Sequence, residues 1–195
     1  MTEIVLFHSV LGVRQGVDDA VQRFWDAGHT VHVVDLYDGR SFDDYTEAGA
    51  YVESFGGPAA LLGRTATAIE KLPSDVVYAG FSNGGGSALF AAGTRPGARG
   101  VLAFHAALPP AMFGVENWPG DVPVQVHYAE RDPLRNQEWV DQLAAAVRAS
   151  GAAYEFHDYP GVAGHLFTDA SLPDEYDKAA AELLYERALG FLERV

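Results

Sequence analysis

Apolar positions along the chain fall into short β-branched runs separated by longer stretches of helical spacing, and the two kinds alternate from end to end. Ile4 to His8 and Thr30 to Asp35 read as strands, and between them Val17, Val21, Phe24 and Trp25 share one face of a helix over Val17 to Ala27. Further strands are expected at Asp75 to Ala79, Gly100 to Phe104, Val122 to Tyr128 and Ala153 to Asp158. Helices are expected at Ala59 to Lys71, Asn83 to Ala92, Asn136 to Ala149 and Pro173 to Arg194. The acidic, aromatic stretch Leu36 to Phe55 carries no readable period, and Ala107 to Gly120 is a proline-rich loop. Alternation of this kind predicts an α/β fold, a doubly wound sheet of about six parallel strands in the order 2-1-3-4-5-6 with helices on both faces. The length of 195 residues fits one domain spanning the whole chain.

One junction in this pattern carries chemistry. Val76, Val77 and Tyr78 lead through Gly80-Phe81-Ser82-Asn83-Gly84 into the helix that holds Ser87 to Ala92, with Gly93 expected to close it. A Gly-x-Ser-x-Gly sequence between a strand and a helix makes a sharp turn that exposes the serine hydroxyl, and the glycines stand where side chains would collide. The same letters also suit an ordinary turn. A serine becomes a nucleophile only when a histidine takes its proton and a carboxylate orients that histidine, so the rest of the chain decides between the two.

Both partners follow in order. The strand Val122 to Tyr128 runs into Ala129-Glu130-Arg131-Asp132-Pro133, where Pro133 keeps Asp132 extended. Glu130 is the rival carboxylate, and the shorter Asp132 suits a fixed hydrogen bond to an imidazole better. An aspartate here also serves as a turn or helix cap. The last strand empties into Pro160-Gly161-Val162-Ala163-Gly164-His165, a glycine-flanked loop that presents His165 after both other groups. Of the other six histidines, His29, His32 and His127 read as structural or solvated, and His157 as the end of its strand. His8 and His105 fall at the carboxyl ends of strands, where open α/β sheets bind ligands, so either is placed to line a pocket.

Composition narrows the partners. Asp and Glu outnumber Lys and Arg by 27 to 13, a formal charge of -14 that opposes nucleic acid and anionic membrane. There is no cysteine, hence no disulfide and no thiolate metal site. Met1 to Phe7 lacks a basic leader and reads as a strand, which points to a cytoplasmic protein. The uncharged runs Val76 to Thr94 and Gly100 to Val115 are broken by glycines and prolines, so neither spans a bilayer.

The chain resembles the dienelactone hydrolase family of the α/β-hydrolase superfamily along nearly its whole length. The resemblance rests on Leu6-Phe7-His8-Ser9-Val10-Leu11-Gly12, Val33 to Arg40, Gly80 to Gly85 and Gly161 to Phe167. It implies an oxyanion hole made by the backbone amides of Val10 and Asn83. It also implies a sheet without the amino-terminal edge strands of fuller members, whose exposed edge is compatible with a monomer or a homodimer. Three departures matter. Ser82 stands where the family usually has cysteine, Ser9 where it has a glutamate that works with that thiol, and Asp169 where carboxylate-binding members have an arginine. The first two together suggest serine chemistry, and the third argues against the dienelactone substrate. Arg14 is the remaining candidate for meeting an anionic substrate.

The expected reaction is hydrolysis of a small ester or lactone by Ser82, His165 and Asp132, with no metal and no cofactor. Leu11, Phe81, His105, Met112, Phe113 and Trp118 are candidate pocket residues, although aromatics of this kind equally build a core. The loop Ala107 to Gly120 is the candidate cover. A ligand-binding receptor that keeps the fold without turnover, or a scaffold that uses its sheet edge, are the competing readings.

Overall fold

The computed structural model describes residues 1–195. Six parallel strands form one sheet in the order β2-β1-β3-β4-β5-β6. They are β1 (Glu3–Phe7), β2 (Thr30–Val34), β3 (Val77–Phe81), β4 (Gly100–Phe104), β5 (Val124–Ala129) and β6 (Tyr154–Tyr159). Five helices lie between them, α1 (Gln15–Asp26), α2 (Tyr45–Ser54), α3 (Gly57–Ile69), α4 (Asn83–Thr94) and α5 (Gln137–Ala149), and α6 (Lys178–Leu192) follows the last strand.

Strand residues alternate between two cores, one on each face of the sheet. Val5, Phe7, Tyr78, Val101, Ala103, Val124 and Val126 pack with α3, α4 and α5 through Leu61, Ile69, Leu89, Leu143 and Val147. Ile4, Leu6, Val77, Ala79, Leu102 and Phe104 face the other way, onto Val17, Ala20 and Phe24 of α1 and Leu184, Tyr185 and Phe191 of α6. Because both faces are covered, β3 and β4 are buried at every residue, which is why their sequences are unbroken apolar runs.

Three helix starts follow side-chain caps. Asp44 accepts from the amides of Thr46 and Glu47, Asn136 from Trp139, and Asp177 from Ala180. The Asp177 cap explains why α6 begins at Lys178 and not at Pro173. The Asp44 cap locates α2 inside the stretch that shows no period. Val52 of α2 joins one core and Ala48 the other, so this helix sits across the carboxyl ends of the strands. Gly93 does not close α4. It lies inside the helix, where Val115 and Trp118 pack against it. His157 likewise falls within β6 and does not end it.

Candidate active site

The chain reverses sharply between β3 and α4. Ser82 sits at the apex with φ 55 and ψ -122, a conformation that costs a non-glycine residue about 1–3 kcal/mol. Its amide donates to the Phe104 carbonyl, 2.8 Å, and its own carbonyl accepts from Gly85, 2.8 Å, and Gly86, 3.3 Å. The flanking glycines are required by space. A Cβ on Gly80 would strike the Gly84 carbonyl, and one on Gly84 would strike the carbonyl oxygens of His8 and Phe7. Helix α4 therefore presses its first turn against the end of β1, and Ser82 is lifted clear.

His165 reaches that hydroxyl from the loop after β6, with Nε2 2.7 Å from Ser82 Oγ. On its other side Nδ1 lies 2.7 Å from Asp132 Oδ2. The Asp132 side chain is fully buried, and its second oxygen accepts from the Leu134 amide, 2.8 Å. Glu130, the rival carboxylate, accepts instead from the Gly161 amide, 2.8 Å, and takes no part in this chain of contacts.

Two groups that the sequence reading passed over hold the histidine loop. Glu175 accepts from the Leu166 amide through one oxygen, 2.7 Å, and from the Tyr45 hydroxyl through the other, 2.8 Å. The Tyr45 ring packs edge-on against His165 with centroids 6.3 Å apart. Burial and the neighbouring Glu175 carboxylate raise the Tyr45 phenol, so it stays a hydrogen-bond donor. Gly164 passes so close to the Glu175 carbonyl that no Cβ fits there.

Neither the Val10 nor the Asn83 amide donates to a loop or cap partner. Asn83 opens α4, where unpaired amides and the positive end of the helix dipole favour negative charge. Val10 lies in the turn Ser9 to Gly12, closed by the Gly12 amide on the Ser9 carbonyl, 3.1 Å, and made possible by Gly12 at φ 87.

The other candidates divide. Phe81 borders a small recess with Ser9, Arg14, Leu166 and Asp169. Leu11 is buried in the α1 and α6 core and does not face a pocket. Phe113 packs on Phe90, about two helical turns beyond Asn83, and Met112 is exposed. Trp118 donates to the Val122 carbonyl, 2.8 Å, and packs on Gly93. Within Ala107 to Gly120, Val115 and Trp118 pack along α4, while Ala111, Met112, Gly114, Glu116, Asn117 and Gly120 are exposed.

His8 does not line a pocket either. One ring nitrogen contacts the Ser9 carbonyl, 2.6 Å, the other accepts from the Leu36 amide, 3.0 Å, and burial holds the ring below its usual pKa. It staples the ends of β1 and β2 together. His105 is buried at φ 58, with Nε2 3.2 Å from Thr168 Oγ1 and its ring 6.0 Å from that of His165. Burial first, and His165 second, push its pKa well down, so it is a neutral wall behind the reactive histidine.

Arg14 is largely tied to its own chain, although its buried Nε, 3.5 Å from Asp169, has no hydrogen-bond partner. Its guanidinium donates to the Phe42 carbonyl and to Asp43, both 2.6 Å, and to Ser171, 3.0 Å. No group of three His, Asp or Glu side chains is arranged to hold a metal ion, and no helix is long and apolar enough to cross a membrane.

A strained serine hydrogen-bonded to a histidine, itself bonded to a buried aspartate, is the arrangement expected of a hydrolase of this fold. The model of the dienelactone hydrolase family matches residues 1–195. The chain belongs to that family. Its architecture is that of the α/β hydrolases, and this dienelactone hydrolase family member is a hydrolase. Among solved structures it is similar to a dienelactone hydrolase-like promiscuous phosphotriesterase from metagenomic libraries, at 22% identity and a TM-score of 0.83, covering 100% of this chain and 86% of that one. It is also similar to the α/beta hydrolase domain-containing protein 10 from mouse, at 13% identity and a TM-score of 0.68 over 98% of this chain and 90% of that one. A propionate-bound esterase from Thermogutta terrifontis matches at 18% identity and a TM-score of 0.61, over 99% of this chain and 83% of the esterase. At these identities the likeness is one of fold. No curated protein matches the chain.

Proposed function

We propose that this dienelactone hydrolase family member is a serine hydrolase that cleaves small esters or lactones through an acyl-enzyme. The observation that carries this reading is the continuous contact from Ser82 Oγ to His165 Nε2 and from His165 Nδ1 to Asp132 Oδ2, each 2.7 Å. His165 Nε2 takes the proton as Ser82 Oγ bonds to the substrate carbonyl carbon, and Asp132 stabilises the resulting imidazolium. The negative oxygen of the tetrahedral intermediate is held by the Val10 and Asn83 amides, each such donor contributing about 3 kcal/mol. The bond to the leaving alcohol then breaks as His165 returns its proton to that oxygen. Water, deprotonated by His165, repeats the attack on the acyl-enzyme and releases the acid and the free Ser82 hydroxyl.

With Ser9 beside the turn and no carboxylate in its place, nothing competes with His165 for the hydroxyl proton, which fits an oxygen nucleophile. The reaction needs no metal or organic cofactor, and its partner is a small molecule. Its test is Ser82→Ala assayed on p-nitrophenyl acetate and a panel of lactones. Turnover falls by about three orders of magnitude or more on this reading, because the three groups act as a unit. A folded Ser82→Ala variant with wild-type turnover refutes it.

A further inference from the structure

Charge around the reactive hydroxyl is one-sided. The cation beside the recess of Ser9 and Phe81 is Arg14, whose two terminal nitrogens are taken by Phe42, Asp43 and Ser171 while its buried Nε has no hydrogen-bond partner. Besides its bonds to Phe42, Asp43 and Ser171, its Nε lies 3.5 Å from Asp169, and only 12% of its side chain is exposed. With two carboxylates to one guanidinium, this cluster is net negative. An anion arriving there would compete with Asp43 and Asp169 for the guanidinium.

A separate cleft of about 410 Å³ opens beside His165, lined by Tyr45, Pro133, Leu134, Asp174 and Glu175 among others. No lysine or arginine lines it. Leu134 is 60% exposed and offers an apolar wall, while the cleft's fixed charges are both carboxylates. Glu175 is pinned by Tyr45 and the Leu166 amide, so it cannot swing away from an incoming group. A space of that volume is roughly 9 Å across, so an anion inside it lies within about one Debye length of these carboxylates at physiological salt and feels them most strongly at low salt.

The alcohol that leaves in the first half of the reaction must receive its proton from His165, so its oxygen passes beside this imidazole. Resting on the serine hydrolase reading, we infer that the cleft beside His165 takes the leaving alcohol and selects esters of neutral or cationic alcohols against esters of anionic ones. This deepens the substrate class. The ester of a tert-butyl-terminated or quaternary-ammonium alcohol fits the apolar wall and the acidic charges, whereas a carboxylate or sulfonate meets like charge with no free cation to pair it.

Three acetate esters of similar shape test this: one of a tert-butyl-terminated ethanol, acetylcholine and acetyl isethionate. At low ionic strength, kcat/KM for the sulfonate is expected to be about tenfold or more below that of the neutral ester, with the cation at least equal to it. The gap should narrow as salt is added. Asp174→Lys, at an exposed position, should raise the ratio of sulfonate to neutral turnover several-fold. Equal kcat/KM for all three esters, with no salt dependence, overturns the charge selection and leaves the serine hydrolase reading intact. Failure to hydrolyse any of the three by an enzyme that turns over p-nitrophenyl acetate or a lactone overturns the role given to this cleft, and loss of those activities as well removes the serine hydrolase reading.

Discussion

Replacing Asp132 by asparagine isolates the electrostatic part of the mechanism. The side chain is fully buried, and Oδ2 lies 2.7 Å from His165 Nδ1, so the geometry survives the change while the charge is lost. In the transition state His165 carries a positive charge. Two unit charges centred about 4 Å apart interact by about 4 kcal/mol at an effective dielectric of ~20, which corresponds to about a thousandfold in rate. Asparagine also turns an N–H toward Nδ1 or leaves that nitrogen unpaired, favouring the wrong tautomer and taking the loss toward ~10⁴. The Leu134 amide can still donate to the asparagine oxygen, so folding should be preserved. The assay is steady-state kcat and KM on p-nitrophenyl acetate beside a thermal melt. The expected result is a drop in kcat of about 10³ to 10⁴ with KM little changed. A folded Asp132→Asn variant that keeps more than a tenth of wild-type kcat would refute the role given to this carboxylate.

Other outcomes follow from packing and from the buried histidines. Gly84→Ala puts a methyl into the carbonyls of Phe7 and His8, so it should destabilise by about 3 kcal/mol or more and push the Asn83 amide out of place. Gly63→Ala, in α3 with nothing within 4 Å, should instead stabilise by about 0.5–1 kcal/mol. Urea melts of both variants check the contrast, and equal effects would contradict the close approach of α4 to β1. Burial holds His105 and His127 well below the usual histidine pKa, whereas the unfolded chain takes up these protons at about pH 6.5. Stability is therefore full above about pH 6.5 and declines as the pH falls, by about 2 kcal/mol for the pair between pH 6.5 and 5.5. Denaturant midpoints over that range measure it, and a stability that rises on acidification would show that one of these rings is charged in the folded state.

Much of this architecture is written in local sequence. β3 and β4 are unbroken apolar runs because both faces are covered, and the glycines around Ser82 are dictated by atoms within a few residues of the turn or at the end of β1. Helix α2 was invisible to periodicity because only Ala48 and Val52 are buried in it. Its usable signal was the cap, Asp44 with Glu47 three residues on. Pocket residues are not legible in the sequence for a different reason. Phe113 and Trp118 are as suitable for a core as for a cleft, and their partners Phe90 and Gly93 are supplied by another element. The clamp on Arg14 joins residues 28 to 157 positions away, which no local pattern reveals. The pairing of Tyr45 with Glu175 is equally invisible to local pattern, the two being 130 positions apart.

The most direct measurement of the central claim is covalent capture of the nucleophile. Treated with a fluorophosphonate probe, digested and sequenced by mass spectrometry, the protein should carry the label on Ser82, and Ser82→Ala and His165→Ala should both abolish it. Labelling on another residue, or none on a folded protein that still hydrolyses esters, would contradict the account.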